Sequence, residues 1–193
     1  MKKTVSVILL FVIITLSFIG CQGENTKSIP ENESENVSSI ENDSSNISST
    51  AKNGFEMNVF SDKRVYKTTE KINIGATLKY VGNEKTVKIW HGDPYMMFSI
   101  TDGKDFNTEA ISKTILTSTV LDKDKLYNFE YKKNGGWDAN DPKADFWEKF
   151  YGEPDLLLPQ GEYTVTLCGD FSLSENLENK SDLICELKIK VIY

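Results

Sequence analysis

From residue 55 onward, apolar and polar positions alternate along the chain. FEMNVF (55–60), KINIGATLKY (71–80), TVKIW (86–90), MMFSI (96–100), ISKTILTSTVL (111–121), KLYNFEY (125–131), EYTVTLC (162–168) and LICELKIKVIY (183–193) all carry this pattern. A period of two puts alternate side chains on opposite faces of an extended segment, and β-branched and aromatic residues dominate these runs. Turn signals such as Val81-Gly82-Asn83 and Asp102-Gly103 separate them. The pattern predicts an all-β domain over residues 54–193, an immunoglobulin-like antiparallel β-sandwich of seven or eight strands.

One segment breaks the alternation. In DANDPKADFWEKFYGEPD (138–155), Asp141 precedes Pro142, Ala144, Trp147 and Tyr151 recur at i, i+3 and i+7, and Phe146 and Phe150 lie four apart. Gly152 and Pro154 close the pattern. This spacing predicts a short helical insert starting at Asp141, with proline at its first position. Four aromatics fall within six residues, and Trp137 stands just before them. Two readings follow. The aromatics plug an open end of the sandwich, or Trp137, Phe146, Trp147, Phe150 and Tyr151 form a partly exposed contact for a partner, since Trp and Tyr dominate interface hot spots.

The N-terminal third has a different organisation. Lys2 and Lys3 precede an apolar run (5–18) that ends at Gly20-Cys21. The run is short for a membrane span and has the layout of an export signal, residues 1–20. Phe18-Ile19-Gly20-Cys21 resembles the lipobox of bacterial lipoproteins, with phenylalanine where leucine is usual. That resemblance implies cleavage before Cys21 and a diacylglycerol on its sulfur, which would tether the chain to the extracytoplasmic face of the cell membrane; two acyl chains suffice for stable anchoring. Residues 22–50 then hold eight serines, five asparagines, six acidic residues and no aromatic. So little apolar surface predicts a disordered linker, set here at 21–53.

Charge narrows the partners. The chain has 22 basic and 29 acidic residues, and loss of the leader with Lys2 and Lys3 leaves 20 basic ones. An acidic chain of this kind does not provide the basic patch that nucleic acid or an anionic bilayer surface demands. Cys168 and Cys185 lie in the last two predicted strands. Three readings stay open for them: a cross-strand disulfide, two buried free thiols, or a redox or metal role, although no CxxC spacing is present.

Catalytic chemistry is sparse. There is a single histidine, His91, and no G-x-S-x-G elbow to go with it. His91 with Met96 and Met97 offers imidazole and thioether donors of the type copper takes, but adjacent residues of a strand point to opposite faces. DAND (138–141) and DKDK (122–125) crowd oxygens without matching an EF-hand loop. No cofactor and no metal is expected, and no enzymatic activity.

Several segments together resemble the domain of the Bacillus intracellular proteinase inhibitor and related immunoglobulin-like domains of Gram-positive lipoproteins. They are VYKTTEKINIGATLKYVGNEKTVKI (65–89), YMMFSITDGKDF (95–106), GGWD (135–138) and LPQGEYTVTL (158–167). The likeness spans most of residues 55–167, with Lys67-Thr68-Thr69 in place of the usual Pro-Gly and an insert after Trp137. It implies a sandwich with a tyrosine at one corner, and a binding role toward a protein partner at the cell envelope, a protease being the class the family name suggests. The other role open to such a chain is structural support of an envelope assembly.

Overall fold

The structure is a computed structural model that describes residues 46–193. The leader, Cys21 and residues 22–45 lie outside the described residues.

The alternating segments form strands whose burial follows their sequence. The described chain runs β1 (Asn46–Lys52), β2 (Phe55–Ser61), β3 (Val65–Lys67), β4 (Ile74–Tyr80), β5 (Thr86–Thr101), β6 (Asn107–Thr108), β7 (Lys113–Asp122), β8 (Leu126–Glu130), α1 (Ala144–Gly152), β9 (Gly161–Ser172) and β10 (Leu183–Ile192). In β10, Leu183, Cys185, Leu187, Ile189 and Val191 are buried, and the residues between them face outward.

Two sheets result, in the orders β1-β2-β4-β8 and β3-β10-β9-β5, with β6 and β7 both paired to β5. Every pairing is antiparallel except that of β3 with β10. The chain therefore crosses from one sheet to the other between β2 and β3. Tyr66 pins this crossing: its hydroxyl donates to the Asp62 carboxylate and accepts the Lys63 N–H at 3.0 Å. Met57, Val59, Ala76 and Leu78 of the four-stranded sheet share one core with Ile89, Ile100, Val165 and Leu167 of the other, all fully buried. Each large side chain so buried contributes roughly 1.5–3 kcal/mol. The all-β sandwich is thus as the alternation predicts.

Three details differ from the expectation. TVKIW and MMFSI are not two strands but one, β5, bent by a register shift between His91 and Met96. The short strands β3 and β6 carry too few residues for a period to register. The third difference is larger, for the described residues before 54 already belong to the sandwich. Residues 46–52, placed in the disordered linker, form β1 and pair with β2 from Asn46↔Ser61 to Lys52↔Phe55. The turn between them is Asn53-Gly54, with φ of +53° and +79°. Positive φ at both central residues gives the twist that a two-residue hairpin needs, and Asn-Gly supplies it at little strain. Polar β1 is held by backbone bonds and by Asn46, whose Nδ2 donates to the Lys188 carbonyl at 2.7 Å.

At the far end, Tyr163 opens β9 and donates its hydroxyl to the Pro159 carbonyl at 2.9 Å. This is the tyrosine corner expected of the fold. Burial, with the Asp102 charge adding to it, pushes the Tyr163 phenol up to about 12. Among the described residues no helix is long and apolar enough to cross a membrane.

Candidate functional site

The insert that follows β8 is built from both of its ends. Asp141 does not cap α1 directly. Its carboxylate accepts the Lys143 N–H at 2.7 Å and its carbonyl accepts the Ala144 N–H at 2.9 Å, which shapes the turn leading into the helix. At the C-terminal end, the Lys133 ammonium donates to the Phe150 carbonyl at 2.6 Å and the Asp155 carbonyl at 2.8 Å. It also lies 4.7 Å from the centre of the Phe150 ring. A cation there satisfies the Phe150 carbonyl left open by the helix, ties it to the segment beyond, and faces the negative end of the helix dipole. Desolvation of Lys133 lowers its pKa despite nearby Glu153 and Asp155.

The five aromatics singled out as a contact do not form one exposed patch. Trp147 and Phe150 are only 8% and 6% exposed. Both pack on Phe106, at 5.3 and 5.4 Å between ring centres, and Phe106 in turn meets Tyr163 at 5.4 Å. The expectation that Trp147 and Phe150 reach solvent is corrected here, because Phe106 and Tyr163 draw them into the core. The other three remain nearer the surface. Trp137 is 42% exposed and stacks nearly parallel on half-buried Tyr151, 5.8 Å away with 10° between the ring planes. Phe146 is 37% exposed, edge-on to both Phe106 and Trp147.

His91 is buried inside β5, and both ring nitrogens have protein partners: Nδ1 lies 2.5 Å from the Gly92 carbonyl and Nε2 lies 2.8 Å from the Thr119 hydroxyl. Its ring rests 4.3 Å from that of Tyr95. Met96 turns into the core while Met97 turns the other way. The copper-type trio is therefore not assembled. No group of three or more His, Cys, Asp or Glu side chains that could hold a metal occurs among the described residues. A cleft of about 580 Å³ opens between Met96 and Phe98 of β5 and Phe129 of β8, with Glu130 and Lys132 on its rim.

The disulfide between Cys168 and Cys185 does not form. The two strands are neighbours, but Cys168 lies opposite Ile184 and Cys185 opposite Leu167. A one-residue offset sends the thiols to opposite faces of the sheet. Cys185 is buried and its Sγ lies 3.3 Å from the Ser48 hydroxyl. Burial, with Asp170 nearby, raises the Cys168 thiol.

No family model matches this chain, and neither does any curated protein. Among solved structures, a β-glucosidase from Erythrobacter marinus is similar to 72% of this chain at 14% identity and a TM-score of 0.38. The matched region spans 15% of that enzyme. A likeness of this size carries no argument about activity.

Sequence reasoning missed Lys133 and Phe106, the two residues that fix the insert. Phe106 follows an ordinary Asp-Gly turn, and Lys133 belongs to a charged pair in a loop; neither carries a local signal of its role.

Proposed function

We propose that this chain is a membrane-anchored, extracytoplasmic binding module that recognises a protein partner at the cell envelope. Cys21 would be the lipidated anchor, and the contact would centre on the Trp137–Tyr151 stack with Phe146 beside it. The observation that carries this reading is Trp137 itself. It sits outside the core, 42% exposed, yet is held in a fixed stack on Tyr151. A rigid, amphipathic aromatic surface of this kind loses little side-chain freedom when a partner covers it. That the partner is a protease rests only on the sequence resemblance described above.

Burial of Trp147 and Phe150 favours a second reading, in which the insert is a structural plug and the domain is an accessory part of an envelope assembly. Affinity capture separates the two. The mature chain from residue 22 and its Trp137→Ala/Phe146→Ala version would be offered detergent-solubilised envelope and culture fluid. A protein retained only by the unmodified chain supports the binding module. Equal retention, or none, from two equally folded proteins moves the assignment to the accessory role. Labelling with radioactive palmitate, lost on Cys21→Ala, tests the anchor.

A further inference from the structure

We propose that the outer face of Trp137 receives a basic segment of the partner protein, with an arginine or lysine side chain lying over the ring and carboxylates around it. The inference rests on the reading of the Trp137–Tyr151 stack as a contact surface, and it supplies the chemistry of what is bound there.

The platform is built from the loop and the helix together. The loop that carries Trp137 crosses Tyr151 at Gly135, where a Cβ would come within 2.5 Å of the Tyr151 hydroxyl. Only a residue without a side chain passes there. Trp137 is then laid on Tyr151, whose ring lies 5.1 Å from that of buried Phe150 and 6.1 Å from that of buried Trp147. One face of the Trp137 ring is thus covered from within, while 42% of the residue stays exposed. The faces of aromatic rings carry negative potential, and indole attracts a cation most strongly of all.

The charges around this face point the same way. Between residues 138 and 155 the chain has six acidic residues and two lysines. Lys143 is engaged by Asp105 at 3.4 Å, and Lys133, just before the segment, donates to the Phe150 and Asp155 carbonyls. Asp155 is matched by Lys71 at 2.8 Å. Asp138, Asp141, Asp145 and Glu148 make no ion pair among the described residues. Asp138 adjoins Trp137 in the chain, and Glu148 stands three residues before Tyr151, on the same side of α1. Lys149, the remaining cation, is two residues from Tyr151, about 200° around the helix, and so lies on its other side.

These carboxylates do not converge on one ion, for none of them belongs to a group of three or more side chains that could hold a metal. They act instead as a field over the stack. An anionic partner surface would meet like charge here, and an uncharged apolar one would strip water from carboxylates with nothing to pair them. A basic segment meets both demands: its cation lies on the indole while its neighbouring charges face Asp138 and Glu148. Arginine suits the place best, because a planar guanidinium stacks on a ring and still offers donors to a carboxylate at its edge.

The test uses the full chain in detergent and two acetylated, amidated peptides as probes, basic GRGKGRG and acidic GEGDGEG. The signal followed is the indole N–H of Trp137 in proton–nitrogen correlation spectra, assigned by its disappearance in Trp137→Ala. The basic peptide is expected to shift that signal and to leave the indole of buried Trp147 in place, whereas the acidic peptide moves neither. Asp138→Asn/Glu148→Gln, two changes at exposed positions, should weaken binding of the basic peptide roughly fivefold. Asparagine keeps the acceptor that Asp138 offers to the Asn140 N–H, so the turn is retained. Salt at about 0.5 M should weaken binding likewise. Equal shifts from the two peptides, no shift from either, or an affinity untouched by Asp138→Asn/Glu148→Gln would overturn the inference. Envelope capture through Trp137 is read separately. Capture that persists beside a negative peptide result keeps the binding module and removes the basic partner, and its absence removes the reading on which both stand.

Discussion

Cys168 and Cys185 show how a single step of register decides chemistry. Disulfides need Cα atoms within about 7 Å and Cβ vectors that converge. Strand adjacency meets the first condition only, because a side chain's face reverses with every residue. The residue that does lie opposite Cys168, on the same outward face, is Ile184, itself 57% exposed. Ile184→Cys is therefore expected to form the cross-strand bond that the native pair cannot. Closing a loop of this length stabilises by about 3 kcal/mol before strain is counted. The measurement is the midpoint of urea unfolding with and without reductant. The variant should lose its extra stability on reduction while the unmodified chain shows no change. A reductant-sensitive midpoint in the unmodified chain would instead mean that Cys168 and Cys185 pair.

At the scale of the element, α1 is a nine-residue helix that could not stand alone. It persists because Trp147 and Phe150 lodge against Phe106 and because Lys133 binds the Phe150 carbonyl in its last turn. Two tryptophans one insert apart should then behave oppositely. Trp147→Ala empties a core site and is expected to cost about 3–5 kcal/mol. Trp137→Ala removes a side chain from the surface, and its effect should stay within about 0.5–1 kcal/mol. Thermal unfolding of both, with iodide quenching compared between the two variants, each of which keeps Trp90 and one tryptophan of the insert, checks the assignment. Similar losses of stability from both would place Trp137 in the core as well. The helix itself was legible from the aromatic spacing and Gly152, although it begins at Ala144 rather than at Asp141. Its buried face was not, since Phe106 and Tyr163, which define that face, lie outside the insert, on either side of it in sequence. Periodicity marks a segment as a strand but does not say how many neighbours it has.

For the whole molecule, the decisive question is where the folded domain begins. Alternation of apolar residues made the sandwich legible from β2 onward, because each of those strands buries one face. β1 escapes that test. NISSTAK buries almost nothing apolar, so composition assigns it to the polar tract, although the Asn53-Gly54 turn behind it is a strong hairpin signal. Its attachments reach across the sandwich: Asn46 to the Lys188 carbonyl, Ser48 beside Cys185, and Lys52 paired with Asp182 at 3.3 Å. Ser61, fully buried at the end of β2, also accepts from Asn46 at 3.3 Å. A chain begun at residue 54 strips β2 of its outer ladder and leaves Ser61 and the Lys188 carbonyl without that partner. At roughly 0.5–1.5 kcal/mol for each net hydrogen bond lost, the expected cost is on the order of 3 kcal/mol relative to a chain begun at residue 46. In a domain of this size that lowers the melting temperature by roughly 6–12 °C. If both versions melt together, β1 contributes nothing to the stability of the sandwich. If the shorter one melts earlier, versions made for partner capture must keep β1.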